Sequence, residues 1–296
     1  MRQTVKRAAL GAALLAAAGA LLNRMAVRRW DARTEALKAQ LLPRASSGTT
    51  GASGGTLDVT AAETATALPD PVRRYLSAAI STGTGRVQAA RVESAGTFRL
   101  LSPTDTRGPD DGWMSFRAAQ TVAVDPPGLL WVARMRLAPF VTIDVRDGYV
   151  QGRGSTEASL LHLVPVASAY GTPELNAGAL LRWLAEAVWV PTALLPGTHL
   201  HWSPIDDLHA RVTVRDGDTE ASAEFEFNSH GDVVGVAAER DMGTANGYVR
   251  APWRGRFWRH EARGGMRIPL EGEVAWYLNG ELRPYWRGRV VGVSYE

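Results

Sequence analysis

The chain of 296 residues contains no cysteine and only two lysines, Lys6 and Lys38. Without a thiol there is no disulfide, no thiolate metal site and no cysteine nucleophile. Because both lysines precede residue 45, the region predicted to fold has no lysine for a Schiff base or for a phosphate-binding loop. These absences exclude several classes of enzyme, although they do not decide the cellular compartment.

The net charge is +3, but residues 45–296 have no excess of positive charge. Residues 1–44 contain nine Lys or Arg and two acidic residues, which gives +7, whereas the remainder contains 24 basic and 28 acidic residues, which gives −4. A basic amino-terminal segment before an acidic domain fits an anionic membrane surface. Nucleic acid is therefore not an expected partner.

Long hydrophobic runs are scarce, and the one that stands out covers residues 8–22. A run of 15 residues is shorter than the roughly 20 that a membrane span needs, and it has the length of a signal-peptide core. The apolar pattern continues through residues 25–27 to Trp30, an interfacial residue type. We expect an uncleaved, single-pass anchor over residues 8–30 in the cell membrane, with a cleaved signal peptide as the alternative. The domain is expected outside the cytoplasm, but basic residues on both flanks give no orientation.

Composition divides the chain into three regions. Residues 1–44 are predicted to form the hydrophobic anchor or signal helix with an amphipathic extension. Residues 45–67 are rich in Ser, Gly and Thr and are predicted to be a disordered linker. Residues 68–296 are predicted to form a single β-rich domain.

Most of residues 68–296 show the alternating pattern of strands. Asp70 is predicted to cap a short helix that begins at Pro71. Turns are predicted at Asp147-Gly148, Gly217, Gly231 and Asn279-Gly280. Strands are predicted near residues 87–101, 113–124, 129–137, 140–146, 149–153, 198–204, 208–215, 219–227, 232–240, 253–260, 266–277 and 285–295, with an ambiguous segment at 159–167.

A sheet of that many strands must curl or split, and a curled sheet needs something to fill its concave side. The predicted fold class is therefore mainly β (α+β), a large curved antiparallel sheet or half-barrel plugged by one or two helices. An amino-terminal membrane-anchor helix is expected to precede it.

One strong helix interrupts the strands within residues 172–197. Thr172 can cap it, Pro173 suits its first position, and Pro191 is predicted to end it. One face is apolar, and Arg182, Glu186 and Trp189 fall on the other face. That second face is expected to be either a solvated surface or the wall of a cleft.

Two carboxylates, Glu186 and Glu273, are embedded among apolar residues. A buried carboxylate needs a partner. For Glu186 the local choice is Arg182, four residues away, and Arg134 or Arg240 could reach it from a strand.

The candidate binding residues come from this helix, from the ten tryptophans and from Arg240. The tryptophans either pack the core or line an apolar pocket. No catalytic residue and no cofactor is predicted. His199 and His201 could face the same way on a strand, but no third ligand has a defined spacing, so no metal site is predicted. The predicted ligand-binding residues are Arg182, Trp183, Glu186, Trp189, Trp202, Arg240, Trp253 and Trp276.

Two stretches carry a family resemblance: LPDPVRRYL at residues 68–76 and LRWLAEAVWVPTALLP at residues 181–196. They resemble the signatures of an uncharacterised bacterial family, domain of unknown function 6544. The resemblance extends to residues 272–276 and 285–289, and it implies no established activity. In architecture the chain is similar to the lipoprotein-carrier and lipoprotein-sorting (LolA/LolB-like) fold. That likeness implies a curved antiparallel sheet closed by helices over a hydrophobic cavity.

The expected function is that of a membrane-tethered, non-enzymatic β domain. It would bind a lipid or another hydrophobic small molecule in a cavity behind the central helix, and its other partner would be the membrane, through residues 8–30. Two alternatives remain open: a membrane-proximal enzyme with a site centred on Glu186, and a structural or interaction module of the cell envelope.

Overall fold

The computed structural model describes residues 2–42 and 68–296, with side chains from residue 18 onward in the first range. The predicted linker, residues 45–67, lies outside the described residues. Helix α1 spans Arg2–Leu41. In the two described ranges, no helix is both long enough and apolar enough to cross a membrane.

Helix α2, Asp70–Ala79, leads into a single sheet of thirteen antiparallel strands. Helix α3, Pro173–Glu186, separates the sixth strand from the seventh, and two short 3₁₀ turns follow it at Ala187–Trp189 and Pro191–Leu194. The strands are β1 Ala89–Phe98, β2 Met114–Ala123, β3 Gly128–Ala138, β4 Val141–Val150, β5 Arg153–Leu160, β6 Val164–Tyr170, β7 Leu200–Pro204, β8 His209–Asp216, β9 Thr219–Phe227, β10 Val233–Thr244, β11 Gly247–Arg263, β12 Met266–Leu278 and β13 Glu281–Tyr295.

The strand order is β6-β5-β4-β3-β2-β1-β13-β12-β11-β10-β9-β8-β7. The sheet curls strongly. Strands β4 and β8 lie near opposite edges, yet the hydroxyl group of Tyr149 on β4 donates to Asp216 Oδ2 on β8 at 2.8 Å. Helix α3 fills the concave side and packs against β4 and β5 on one flank and β9 and β10 on the other. The predicted fold class, a curved antiparallel half-barrel plugged by a helix, is confirmed.

The beginning of α3 matches the prediction, and its end does not. Thr172 Oγ1 accepts the amide of Leu175 at 3.2 Å, and Pro173 is the first helical residue. The α-helix stops at Glu186 and not at Pro191. A residue before proline avoids helical angles, and Val190 has φ −136° and ψ 68°. The chain therefore tightens into the first 3₁₀ turn before it reaches the proline.

Two other local predictions are wrong. Asp147 and Gly148 form no turn, because β4 runs straight through them and the chain reverses at Gln151 and Gly152, which have φ of 52° and 77°. A Cβ atom on Gly148 would lie 3.2 Å from the side chain of Leu130, so this glycine permits close packing. Asp70 is the first residue of α2 and not its cap, and its carboxylate pairs with Arg73 at 2.7 Å.

The main core lies between the concave face and helices α2 and α3. A second, smaller apolar cluster lies on the convex face, where Leu37 and Leu41 of α1 pack against Leu130 and Val150. The carboxyl-terminal part of α1 is therefore docked on the sheet.

Candidate functional site

A central cavity of about 370 Å³ lies between the concave face and α3. Its size falls within the range of small-molecule sites, and its walls are mostly apolar and include nine aromatic residues. Five of the ten tryptophans contribute to it. The aromatic lining residues are Phe98, Trp131, Trp189, Tyr248, Trp253, Phe257, Trp276, Tyr285 and Trp286.

Helix α3 turns an ion pair toward this cavity. Arg182 and Glu186 lie one turn apart, and Arg182 Nε donates to Glu186 Oε1 at 2.7 Å. The other carboxylate oxygen accepts from Gln120 Nε2 on β2 at 2.7 Å. The guanidinium of Arg182 also lies over the ring of Trp131, 4.9 Å from its centroid. Both oxygens of Glu186 are thus engaged, as a carboxylate held within a domain requires.

Asp147 completes the cluster, because its Oδ2 lies 3.2 Å from Arg182 Nη1. Although 29% of its side chain is accessible, that surface faces the cavity. Burial raises the pKa of the Asp147 carboxyl group, and the charge of Arg182 opposes this effect without cancelling it. Burial lowers the pKa of Arg182, but the carboxylates of Glu186 and Asp147 outweigh burial, so the pKa of Arg182 is raised.

On the opposite wall, Arg240 of β10 lies among aromatic rings. Its guanidinium carbon is 5.6 Å from the ring centroid of Trp253 and 5.8 Å from that of Trp276. Its Nη1 donates to the hydroxyl group of Tyr285 at 3.3 Å. Trp253 Nε1 donates to the same oxygen at 3.0 Å.

The structure brings six of the eight predicted binding residues together around the central cavity. They are Arg182, Glu186, Trp189, Arg240, Trp253 and Trp276. Trp183 and Trp202 do not line it. Trp183 Nε1 donates to the carbonyl of Ala123 at 2.8 Å, and Trp202 Nε1 donates to that of Leu194 at 3.0 Å, so both rings belong to the core.

The alternative partners considered for Glu186 are not used. Arg134 pairs with Asp144 at 2.7 Å, and Arg240 makes no ion pair with Glu186 among the described residues. Glu273, the other embedded carboxylate, pairs with Arg287 at 2.7 Å and does not line the central cavity.

Sequence reasoning missed Trp131, Asp147 and Tyr285 in the cavity wall. It also missed Gln120, which holds Glu186 from β2. The glycine that follows Asp147 predicts a turn there. Alternation along β3 could have placed Trp131 on the apolar face, but the pairing of Trp131 with Asp147 across β3 and β4 depends on register.

A second space of about 550 Å³ adjoins the central cavity. It lies where β9 and β10 separate: they pair only between residues 224–227 and 233–237, and residues 219–223 and 238–244 are not paired with each other. We call this unpaired stretch the open seam. The two spaces share four lining residues, so the open seam and the central cavity adjoin at Gly178, Arg240, Asp241 and Trp253.

His199 and His201 are exposed on and beside β7. Among the residues that the structure describes, no three His, Asp or Glu side chains are grouped closely enough to hold a metal ion.

Comparisons with known proteins give a family and a fold likeness. A family model described as "Family of unknown function (DUF6920)" matches residues 66–295. The chain thus matches a family of unknown function, but neither domain of unknown function 6544 nor its signatures are confirmed. No curated protein matches the chain. A LolA superfamily protein from Nitrosomonas europaea is similar in structure, with 8% identity, a TM-score of 0.39, and coverage of 76% of this chain and 92% of that one.

Proposed function

We propose that the β domain of this chain, which belongs to a family of unknown function, DUF6920, is a non-enzymatic module that binds a lipid or another hydrophobic small molecule. The single observation that carries this proposal is the central cavity of about 370 Å³ with its aromatic walls. Aromatic rings supply a large apolar contact area, and the indole N–H groups of Trp189 and Trp253 already have protein acceptors.

The ion-pair cluster supports a binding role over a catalytic one. Glu186 is held by Arg182 and Gln120, each at 2.7 Å, so both of its oxygens already accept a hydrogen bond within the protein. In this interpretation the cluster fixes the position of α3 against β2 and β4. The cavity is then a preformed site of fixed shape.

We further propose that residues 8–30 hold the module at the cell membrane, on the extracytoplasmic side. The apolar run of residues 8–22 supports this proposal. Alkaline carbonate extraction of membranes from expressing cells tests it, because release of the chain into the supernatant would contradict an integral anchor.

Binding can be tested with the neutral fluorescent probe N-phenylnaphthylamine. We expect the full chain to bind it with a defined stoichiometry. A Gly178→Phe variant should block the cavity, since Gly178 lines it and a Cβ atom there meets nothing closer than Arg240 Nε at 3.6 Å. We expect it to lose at least tenfold in affinity.

The matched control is Ala167→Phe, which places the same ring on the exposed edge strand β6. It should bind the probe like the unchanged protein. Equal binding by Gly178→Phe and the unchanged protein would show that the probe sits elsewhere, and the proposed site would then be wrong.

A further inference from the structure

The cavity wall contains a charged side chain, Arg240. A purely apolar ligand could not accept a hydrogen bond from its guanidinium group. Rings flank it, Trp253 at 5.6 Å and Trp276 at 5.8 Å from its guanidinium carbon to their centroids. Its one hydrogen bond to protein is the contact of Nη1 with the hydroxyl group of Tyr285 at 3.3 Å, among the residues that the structure describes. Its Nε atom is buried and has no hydrogen-bond partner there.

Arg240 also makes no ion pair in the described part of the chain, although its charge acts at longer range on Asp147. No carboxylate oxygen lies within 4.0 Å of its guanidinium nitrogens. Its sequence neighbour Asp241 is directed to Arg250, at 3.8 Å. Arg182, in contrast, has two carboxylates at 3.2 and 2.7 Å. A guanidinium is permanently cationic, and a desolvated cation without a counter-ion is costly.

Tyr285 supplies a second unused donor beside Arg240. Its oxygen accepts from Arg240 Nη1 at 3.3 Å and from Trp253 Nε1 at 3.0 Å. A phenol oxygen that accepts two hydrogen bonds still has its own proton to donate, and no described residue accepts that proton. The Tyr285 O–H and the free nitrogens of Arg240 together form a cluster of donors with no acceptor.

This donor cluster lies at the junction of the central cavity and the open seam, because Arg240 and Trp253 line both spaces. The aromatic walls extend inward from this point. An amphiphile that enters tail first between β9 and β10 would bring its head group to rest beside Arg240.

We propose that the ligand is an amphiphile with an anionic oxygen head group, a carboxylate or a phosphate, bound by Arg240 and Tyr285 at the inner end of the open seam. This inference rests on the proposed function and specifies its ligand class. Charge-assisted hydrogen bonds from a guanidinium favour oxyanions, which the flat fork of Arg binds through two oxygens.

The test compares four ligands with the same alkyl chain, titrated into the full chain by isothermal calorimetry below their micelle concentrations. The ligands are dodecanoate, dodecyl phosphate, dodecanol and dodecyltrimethylammonium. We expect one or both anions to bind about tenfold or more tightly than dodecanol, and the cation to bind most weakly. Partition into an apolar pocket alone would make the neutral alcohol bind more tightly than the anions. Recognition by Arg240 and Tyr285 predicts the opposite order of affinities.

The Arg240→Gln variant should lose the preference for anions and keep its affinity for dodecanol. Arg263→Gln is the matched control, because it removes the same charge from an exposed site on the neighbouring strand β11 that lines neither space, and it should keep the preference. If Arg240→Gln does not fold, Arg240→Lys retains the charge and should retain most of the preference.

The outcomes separate the two proposals. Tighter binding of dodecanoate alone identifies a carboxylate head group, and tighter binding of dodecyl phosphate alone identifies a phosphate. Equal binding of dodecanol and both anions by the unchanged protein overturns the inference and leaves the proposed function standing. Failure of dodecanol and of both anions to bind overturns the proposed function itself.

Discussion

The carboxyl group of Asp147 occupies an unusual environment within the central cavity. Burial raises its pKa even though Arg182 lies 3.2 Å away. A carboxyl group whose pKa is higher in the folded than in the unfolded state binds more protons when folded. It therefore makes the free energy of unfolding decrease as the pH rises from the unfolded pKa through the folded one.

We expect Asp147→Asn to remove this pH dependence, because an amide keeps an acceptor for Arg182 and cannot ionise. The difference in unfolding free energy between variant and unchanged protein should shift in favour of the variant as the pH rises from the ordinary aspartate pKa toward neutrality. Urea denaturation over that pH series measures it. A difference that does not change with pH would show that Asp147 titrates alike in both states.

For single residues, the sequence predicts contacts within one helix better than contacts between different elements. Local spacing was sufficient to pair Arg182 with Glu186, which lie one helical turn apart. Gln120 and Asp147 belong to strands, and their contacts with α3 depend on the register of three strands and on the direction of the curl. A single sequence contains no direct signal for either property.

Among the elements, helix α1 makes a contact that the sequence does not predict. Its amphipathic extension docks on the convex face of the sheet. The guanidinium of Arg146 lies 3.8 Å from the ring centroid of Trp30, and its Nη1 donates to the carbonyl of Trp30 at 2.8 Å and to Thr34 Oγ1 at 3.0 Å. The side chain of Arg146 is 4% exposed, so α1 covers it almost completely.

We expect Arg146→Met to release the docked part of α1, because the bonds to Trp30 and Thr34 are lost together. Hydrogen exchange of residues 30–41 should increase by an order of magnitude or more, which corresponds to about 1.4 kcal/mol of local opening free energy. The rest of the sheet should exchange as before. Arg153→Met, an exposed change on β5, is the control. Unchanged exchange in α1 would mean that the apolar contacts of Leu37 and Leu41 are sufficient for docking.

Strand prediction was accurate where glycine marked a turn. Gly217, Gly231 and the pair Asn279-Gly280 all have positive φ and lie between strands, as predicted. Gly148 was misread because a glycine required for close packing has the same local signature as one required for a turn.

For the whole molecule, one strand pairing carries particular weight. Within residues 68–296, eleven of the twelve pairings join strands that are consecutive in the chain, and only β1 with β13 joins strands far apart in sequence. At that pairing Gly96 of β1 faces Gly288 of β13. A Cβ atom on Gly96 would collide with the carbonyl oxygen of Arg287 and lie 2.7 Å from the Cα atom of Gly288.

We expect Gly96→Ala to destabilise the domain by about 3 kcal/mol or more, because both colliding atoms are backbone and cannot rotate away. Gly292→Ala is the matched control in the same strand pair. A Cβ atom there meets only the flexible side chain of Glu93, at 3.4 Å. Thermal or urea unfolding measures both variants, and equal stability of the two would show that β1 and β13 can shift apart without cost.

The same topology has a consequence for the order of events during folding. Strands β1–β6 and β7–β13 are two runs of hairpins, each of which can form from local contacts. Trp131 and Asp147 come from the first run, and Arg240, Trp253 and Trp276 come from the second. Neither run alone encloses a cavity. The site therefore forms only when β13 pairs with β1, which brings together the two ends of the whole intervening chain. A bound ligand would thus act as a clasp between two halves of one chain, and ligand fluorescence during refolding would record the moment at which they join.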